Sequence, residues 1–199
     1  MHLRTLLASA ALALSFPVLA DDHQHSLEAH VHGIGTLNIA LENQLLELQL
    51  ESPAMNIIGF EYQPTTAADI QAVKAAQSTL SNAVELFAFS PAAQCRLTSV
   101  SIENALLKGS GAHDHDHDHD HDHDHDHESQ PAAEIAEHQH NDISAHYQYH
   151  CATPAQLNSI DLAGLFKLFT QTEKIQVQLI VGDHQQGAEL SAKNTSLSW

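Results

Sequence analysis

The sequence predicts an α+β fold: an antiparallel or mixed β-sheet with one long helix packed on a face, interrupted by a disordered His/Asp-rich insertion. Three observations predict it. Several segments alternate apolar and polar residues with the period of two that marks a half-buried strand. One stretch places its apolar residues at helical steps of three and four. Between strand-like segments lies a run, His113 to Glu128, that contains no apolar residue at all.

Residues 1–20 read as a secretory signal: Arg4 in the n-region, a short apolar core from Leu6 to Leu14, and Val18-Leu19-Ala20 before a cleavage point after Ala20. The apolar stretch is shorter than the roughly 20 residues a membrane-spanning helix needs, and no second run is long enough, so no membrane insertion is expected. From Ala29 to Leu41 the odd positions Val31, Leu37, Ile39 and Leu41 are apolar, with Gly33 and Gly35 among them. Leu46, Leu48 and Leu50 repeat the alternation after Glu42-Asn43-Gln44, which reads as a hairpin. Thr66 and Asp69 carry a helix-capping signal, and Ile70, Val73, Gln77, Leu80, Val84 and Phe87 follow at helical spacing. Cys95 to Glu103 is strand-like and leads into the insertion, at about 109–138 by its flanking Gly, Ser and Pro residues. Asp142 to Cys151 alternates again, Gly164 to Phe169 suits a short helix, Ile160 to Leu162 can be extended, and Ile175 to Val181 reads as a strand. Residues 21–199 therefore form a single domain with a low-complexity insertion, since roughly 150 residues outside the insertion are enough for one core.

Export governs the reading of Cys95 and Cys151, the only two cysteines. An oxidising compartment favours a disulfide between them, and neither stands in a C-x-x-C pair that would suggest a thiolate metal site. Such a bridge closes a loop around the whole insertion and is expected to tie its two roots together.

Charge narrows the partners. Beyond residue 20 the chain carries six Lys and Arg against 25 Asp and Glu, a net charge of −19 with histidine neutral. Nucleic acid and anionic membrane surfaces are poor partners for such a field, and cations are good ones.

The insertion names the kind of cation. His113, His115, His117, His119, His121, His123, His125 and His127 alternate with seven aspartates and Glu128. With nothing apolar to bury, the segment cannot offset the entropy of ordering. Imidazole and carboxylate together are the ligand set of divalent transition metals, above all zinc. At two-residue spacing an extended chain places the imidazoles on one side, and local bending brings two or three onto one ion. A solvated spacer would need no histidine.

Further histidines are arranged rather than scattered. His30 and His32 fall on one face of the expected first strand, opposite Val31. After the insertion, His140, Asp142, His146 and His150 share a polar face with Ser144 and Gln148, opposite Ile143, Ala145, Tyr147, Tyr149 and Cys151. The expected ordered metal site takes His30 or His32 with His140 and Asp142. Glu61, an acid among apolar neighbours, reads first as a structural acceptor and second as a metal ligand. His184 beside Asp183 reads as an exposed turn residue. No H-E-x-x-H, G-x-S-x-G, P-loop or dinucleotide signature is present, so an enzyme is not expected, and a metal-dependent hydrolase is the weakest reading. Two Met are too few for a thioether copper site.

An ordered set of motifs carries a family resemblance. His30-Val31-His32-Gly33 running into Leu37-Asn38-Ile39-Ala40, then Glu51-Ser52-Pro53-Ala54-Met55-Asn56 and Gly59-Phe60-Glu61, resembles the ZrgA-type family of periplasmic zinc-uptake proteins. The central His-rich insertion, His140-Asn141-Asp142, Tyr147, Cys151 and Leu165-Phe166 follow in order. The resemblance implies a periplasmic zinc-binding protein that assists high-affinity import beside an ABC-type zinc transporter. Buffering of, or resistance to, excess zinc, nickel or copper is the alternative within the same class.

Overall fold

The leucine alternation folds back on itself. In a computed structural model of the chain, which describes residues 31–108 and 141–199, strands β1 (Ile34–Glu42) and β2 (Leu45–Pro53) form the expected hairpin. Leu37 lies opposite Leu50, Ile39 opposite Leu48 and Leu41 opposite Leu46, so one register buries all six on one face. Asn43 turns the chain at φ 54°, a left-handed value that Asn tolerates. The signal segment, His30, the His/Asp run and His140 lie outside the described residues.

Helix α1 (Ala54–Ile57) follows β2 directly. Helix α2 (Ala67–Ser81) starts where the capping signal placed it: the Asp69 N–H donates to Thr66 Oγ1 at 3.1 Å. It is the one long helix among the described residues, and it buries Val73, Ala76 and Leu80. It ends before the full apolar pattern is used. Asn82 leaves helical geometry at ψ 63°, and a separate turn, α3 (Ala83–Leu86), turns Val84 outward to 80% exposure. Phe87 returns to the core on extended backbone.

The remaining elements are β3 (Ala88–Phe89), β4 (Cys95–Asn104), α4 (Ala105–Lys108), β5 (Asp142–Cys151), β6 (Ser159–Asp161), α5 (Ala163–Leu168), β7 (Lys174–Val181), β8 (His184–Ser191) and β9 (Ser196–Ser198). Six strands form a mixed sheet in the order β4-β5-β2-β1-β7-β8, in which only β1 and β7 run parallel. A small sheet, β3-β6-β9, closes the core at the side. Gly164 is required by packing: a Cβ there would fall 1.8 Å from the Glu85 carbonyl oxygen, where α5 crosses α3. The alternation did not reveal β8, a polar strand at the end of the sheet order. His184 is its first residue rather than a turn residue, and is exposed as expected.

The disulfide joins Cys95 and Cys151, directly opposite one another on β4 and β5, with an S–S distance of 2.02 Å. Its place corrects one expectation. The chain leaves toward the insertion from Asn104 and returns at Ile143, the other end of the same ladder. About nine residues of strand, roughly 30 Å, separate that end from the bridge. The β4–β5 ladder, not the disulfide, holds the two roots together.

Candidate metal centre

Two segments distant in sequence meet where the insertion is rooted. The first is a turn. Ile34 N–H donates to Val31 O at 3.0 Å, and Gly33 sits at φ 86°, the value a type II turn demands of its third residue. His32 therefore precedes β1 instead of lying within it, because Gly33 turns the chain before the strand begins. Asn56, 2% exposed, fastens this turn. Its Oδ1 accepts the Gly33 N–H at 2.7 Å, and its Nδ2 donates to Ile34 O at 3.1 Å and Ser52 Oγ at 3.0 Å. On the other side the N–H groups of Glu173 and Lys174 donate to Gly33 O at 2.8 and 3.0 Å.

The second segment is Gly59-Phe60-Glu61-Tyr62. Phe60 and Tyr62 stack with ring centroids 4.6 Å apart, and the Tyr62 hydroxyl reaches Asp69 Oδ1 at 3.3 Å. Glu61 Oε1 meets His32 Nε2 at 3.1 Å, with side-chain exposures of 13% and 51%. A mostly buried carboxylate thus faces a half-exposed imidazole.

The chain returning from the insertion is fixed to both. Asn141 Nδ2 donates to Glu61 O at 2.7 Å, and Asn141 O accepts the Ala54 N–H at 2.8 Å. Asp142 follows as the first residue of β5, opposite Pro53. His32, Glu61 and the Asn141-Asp142 pair are therefore gathered at one end of the sheet.

The other candidates on β5 are on the expected face but further along. Asp142, His146 and His150 point outward while Ile143, Ala145, Tyr147, Tyr149 and Cys151 are buried. His146 lies between Gln49 and Ser101 in the sheet. His150 lies between Leu45 and Arg96, with its Nε2 3.2 Å from Gln44 Oε1. At about 3.3 Å per residue they stand roughly 13 and 26 Å from Asp142, so the strand strings them out. Among the described residues no three His, Cys, Asp or Glu side chains are already gathered as a metal-binding group. Glu61, read from the sequence first as a structural acceptor, stands beside His32 in this cluster. Its signal was an isolated acid in an apolar stretch, and nothing in its spacing pointed to His32.

A family model for zinc uptake proteins matches residues 29–199, from just before the His32 turn to Trp199, just past β9. The chain belongs to the ZrgA family of zinc uptake proteins. A search of curated proteins found no match. The matched span takes in every element of the ZrgA chain described above, including both strands that flank the insertion. The family is described by uptake and not by a reaction. Among the described residues no helix is long and apolar enough to cross a membrane.

Proposed function

We propose that this chain captures zinc in the periplasm, after signal cleavage behind Ala20, and assists its high-affinity import beside the periplasmic component of an ABC-type zinc transporter. Two kinds of site share the work. The eight histidines and adjacent acids of the run collect zinc through many similar weak sites, among which ligand exchange is kinetically easy. An ordered site built from His30 or His32 with His140 and Asp142 holds one ion at the root of the insertion, where it is passed on. Membership of a zinc uptake family, together with the convergence of His32 and the Asn141-Asp142 segment, is the observation that carries this reading. Induction of the gene by zinc starvation agrees with uptake, whereas induction by zinc excess would favour buffering.

Deleting residues 113–127 separates the two kinds of site. Titration calorimetry should show several zinc ions bound by the parent and most of them lost in the deletion. Circular dichroism should be unchanged, because the segment has no apolar residue to contribute to the core. At least one zinc should persist in the deletion and vanish on adding His140→Ala with Asp142→Ala, since too few ligands then remain for a tetrahedral ion. Unchanged stoichiometry in the deletion would overturn the collecting role of the run. Retained zinc after the double substitution would overturn the ordered site.

A further inference from the structure

Resting on the reading that the root of the insertion holds zinc, we propose that Glu61 is a direct ligand of that ion, paired with His32. The separation of the two side chains is the first argument. Zinc takes imidazole nitrogen and carboxylate oxygen at about 2.0–2.2 Å, which puts two ligands on a tetrahedral ion roughly 3.4 Å apart. His32 Nε2 and Glu61 Oε1 are 3.1 Å apart. Exchanging the proton between them for a metal ion requires the pair to open by only about 0.3 Å.

Burial is the second argument. Glu61 is 13% exposed and His32 is 51% exposed. A carboxylate largely withdrawn from water attracts a dication more strongly than a surface acid does, and the exposed imidazole leaves the ion a way in and out.

Presentation is the third. Asn141 fastens the Glu61 backbone, and Asn56 fastens the turn that carries His32. Ligands held by such outer contacts lose little entropy on binding, which is how metal sites are oriented. These contacts join three separate stretches of chain at one point. A purely local role for Glu61 would not need all three.

The competing role is a hydrogen-bond acceptor that orients His32. Glu61→Gln separates the two, because glutamine keeps the acceptor oxygen and the length of the side chain while removing the charge and the ligand. The full chain is titrated with zinc, with free zinc fixed by a chelator buffer so that the run does not distort the concentration. Two-dimensional amide NMR follows Gly33, Tyr62 and Asn141. In the parent these amides shift with a defined midpoint. Glu61→Gln should raise that midpoint more than roughly a hundredfold, beyond the 10- to 100-fold that the loss of an outer contact costs. Glu51→Gln, on the outer face of β2, should leave it where it was. A parental midpoint in Glu61→Gln overturns the proposal and leaves the wider reading standing. Parent amides that never shift, even with the run saturated, overturn the ordered site itself. Should the glutamine variant fail to fold, Glu61→Asp keeps the charge but withdraws it by one methylene. An unchanged midpoint in that variant overturns the proposal equally.

Discussion

Tyr147 and Tyr149 stand two residues apart on the buried face of β5, and their hydroxyls have opposite fates. Tyr147 is fully buried and donates to Leu80 O at 3.0 Å, which ties β5 to the last turn of α2. Tyr149 is 5% exposed, and its hydroxyl finds no partner among the described residues. Each ring packs edge-on against a phenylalanine, Tyr147 on Phe87 at 5.0 Å and Tyr149 on Phe89 at 4.9 Å. Burial pushes both phenols well above their ordinary range, so neither ionises at any pH where the protein functions. Packing is therefore alike and hydrogen bonding differs. Tyr147→Phe should destabilise by about 1 kcal/mol, because the Leu80 carbonyl loses its buried donor. Tyr149→Phe should be neutral or slightly stabilising. Urea midpoints of the two variants check this, and equal losses would contradict it.

At the scale of elements, the turn of residues 31–34 matters most. The Asn56 side-chain amide holds it on one side, and the N–H groups of Glu173 and Lys174 hold it on the other. Asn56 satisfies all its hydrogen-bonding groups inside the core while serving Gly33, Ile34 and Ser52. Asn56→Ala leaves the Gly33 N–H and the Ile34 carbonyl without this partner and should cost about 3 kcal/mol in denaturant unfolding, at the upper end for an orphaned buried group. Because the same turn carries His32, zinc at the ordered site should weaken together with stability. Loss of stability with parental zinc affinity would show that the turn does not position the metal ligand.

For the whole molecule, the bridge and the insertion act on different properties. The disulfide spans a sequence separation of 56. Closing a loop of that size is worth about 4 kcal/mol in the chain-entropy account. Replacing Cys95 and Cys151 with Ala should lower guanidinium stability by up to about that amount. Zinc stoichiometry in the folded fraction should stay the same, because the ladder and not the bridge joins the roots of the insertion. The second property is proton competition. Zinc needs neutral imidazole, whose reference pKa is about 6.5, so each histidine ligand makes binding compete with a proton. A site of two or three histidines should lose up to two or three tenfold steps of affinity per pH unit, well below that pKa. Carboxylates, with reference values near about 4, stay charged over this range and cannot replace the lost ligands. Occupancy at fixed free zinc should be high at about pH 7.5 and largely lost near about pH 5, while circular dichroism holds steady. A flat profile would exclude histidine as the main ligand.

Wherever one face is buried, the sequence by itself determined the outcome. Leu37, Ile39 and Leu41 against Leu46, Leu48 and Leu50 announced the hairpin, the ten residues of β5 kept their alternation intact, and Thr66 marked the start of α2. The pairing of the two lone cysteines was equally legible. Only the tertiary structure decided that β1 pairs in parallel with β7, that a polar β8 completes the edge, and that the long helix stops at Ser81. It alone brought Glu61 to His32, placed Asn141 between them and Ala54, and spaced His146 and His150 along the strand away from Asp142. The reason is physical. Periodicity records which side of an element meets the core, a local property that each residue carries. Contacts among turns have no period, because they arise only when long-range packing brings separate loops to the same end of a sheet.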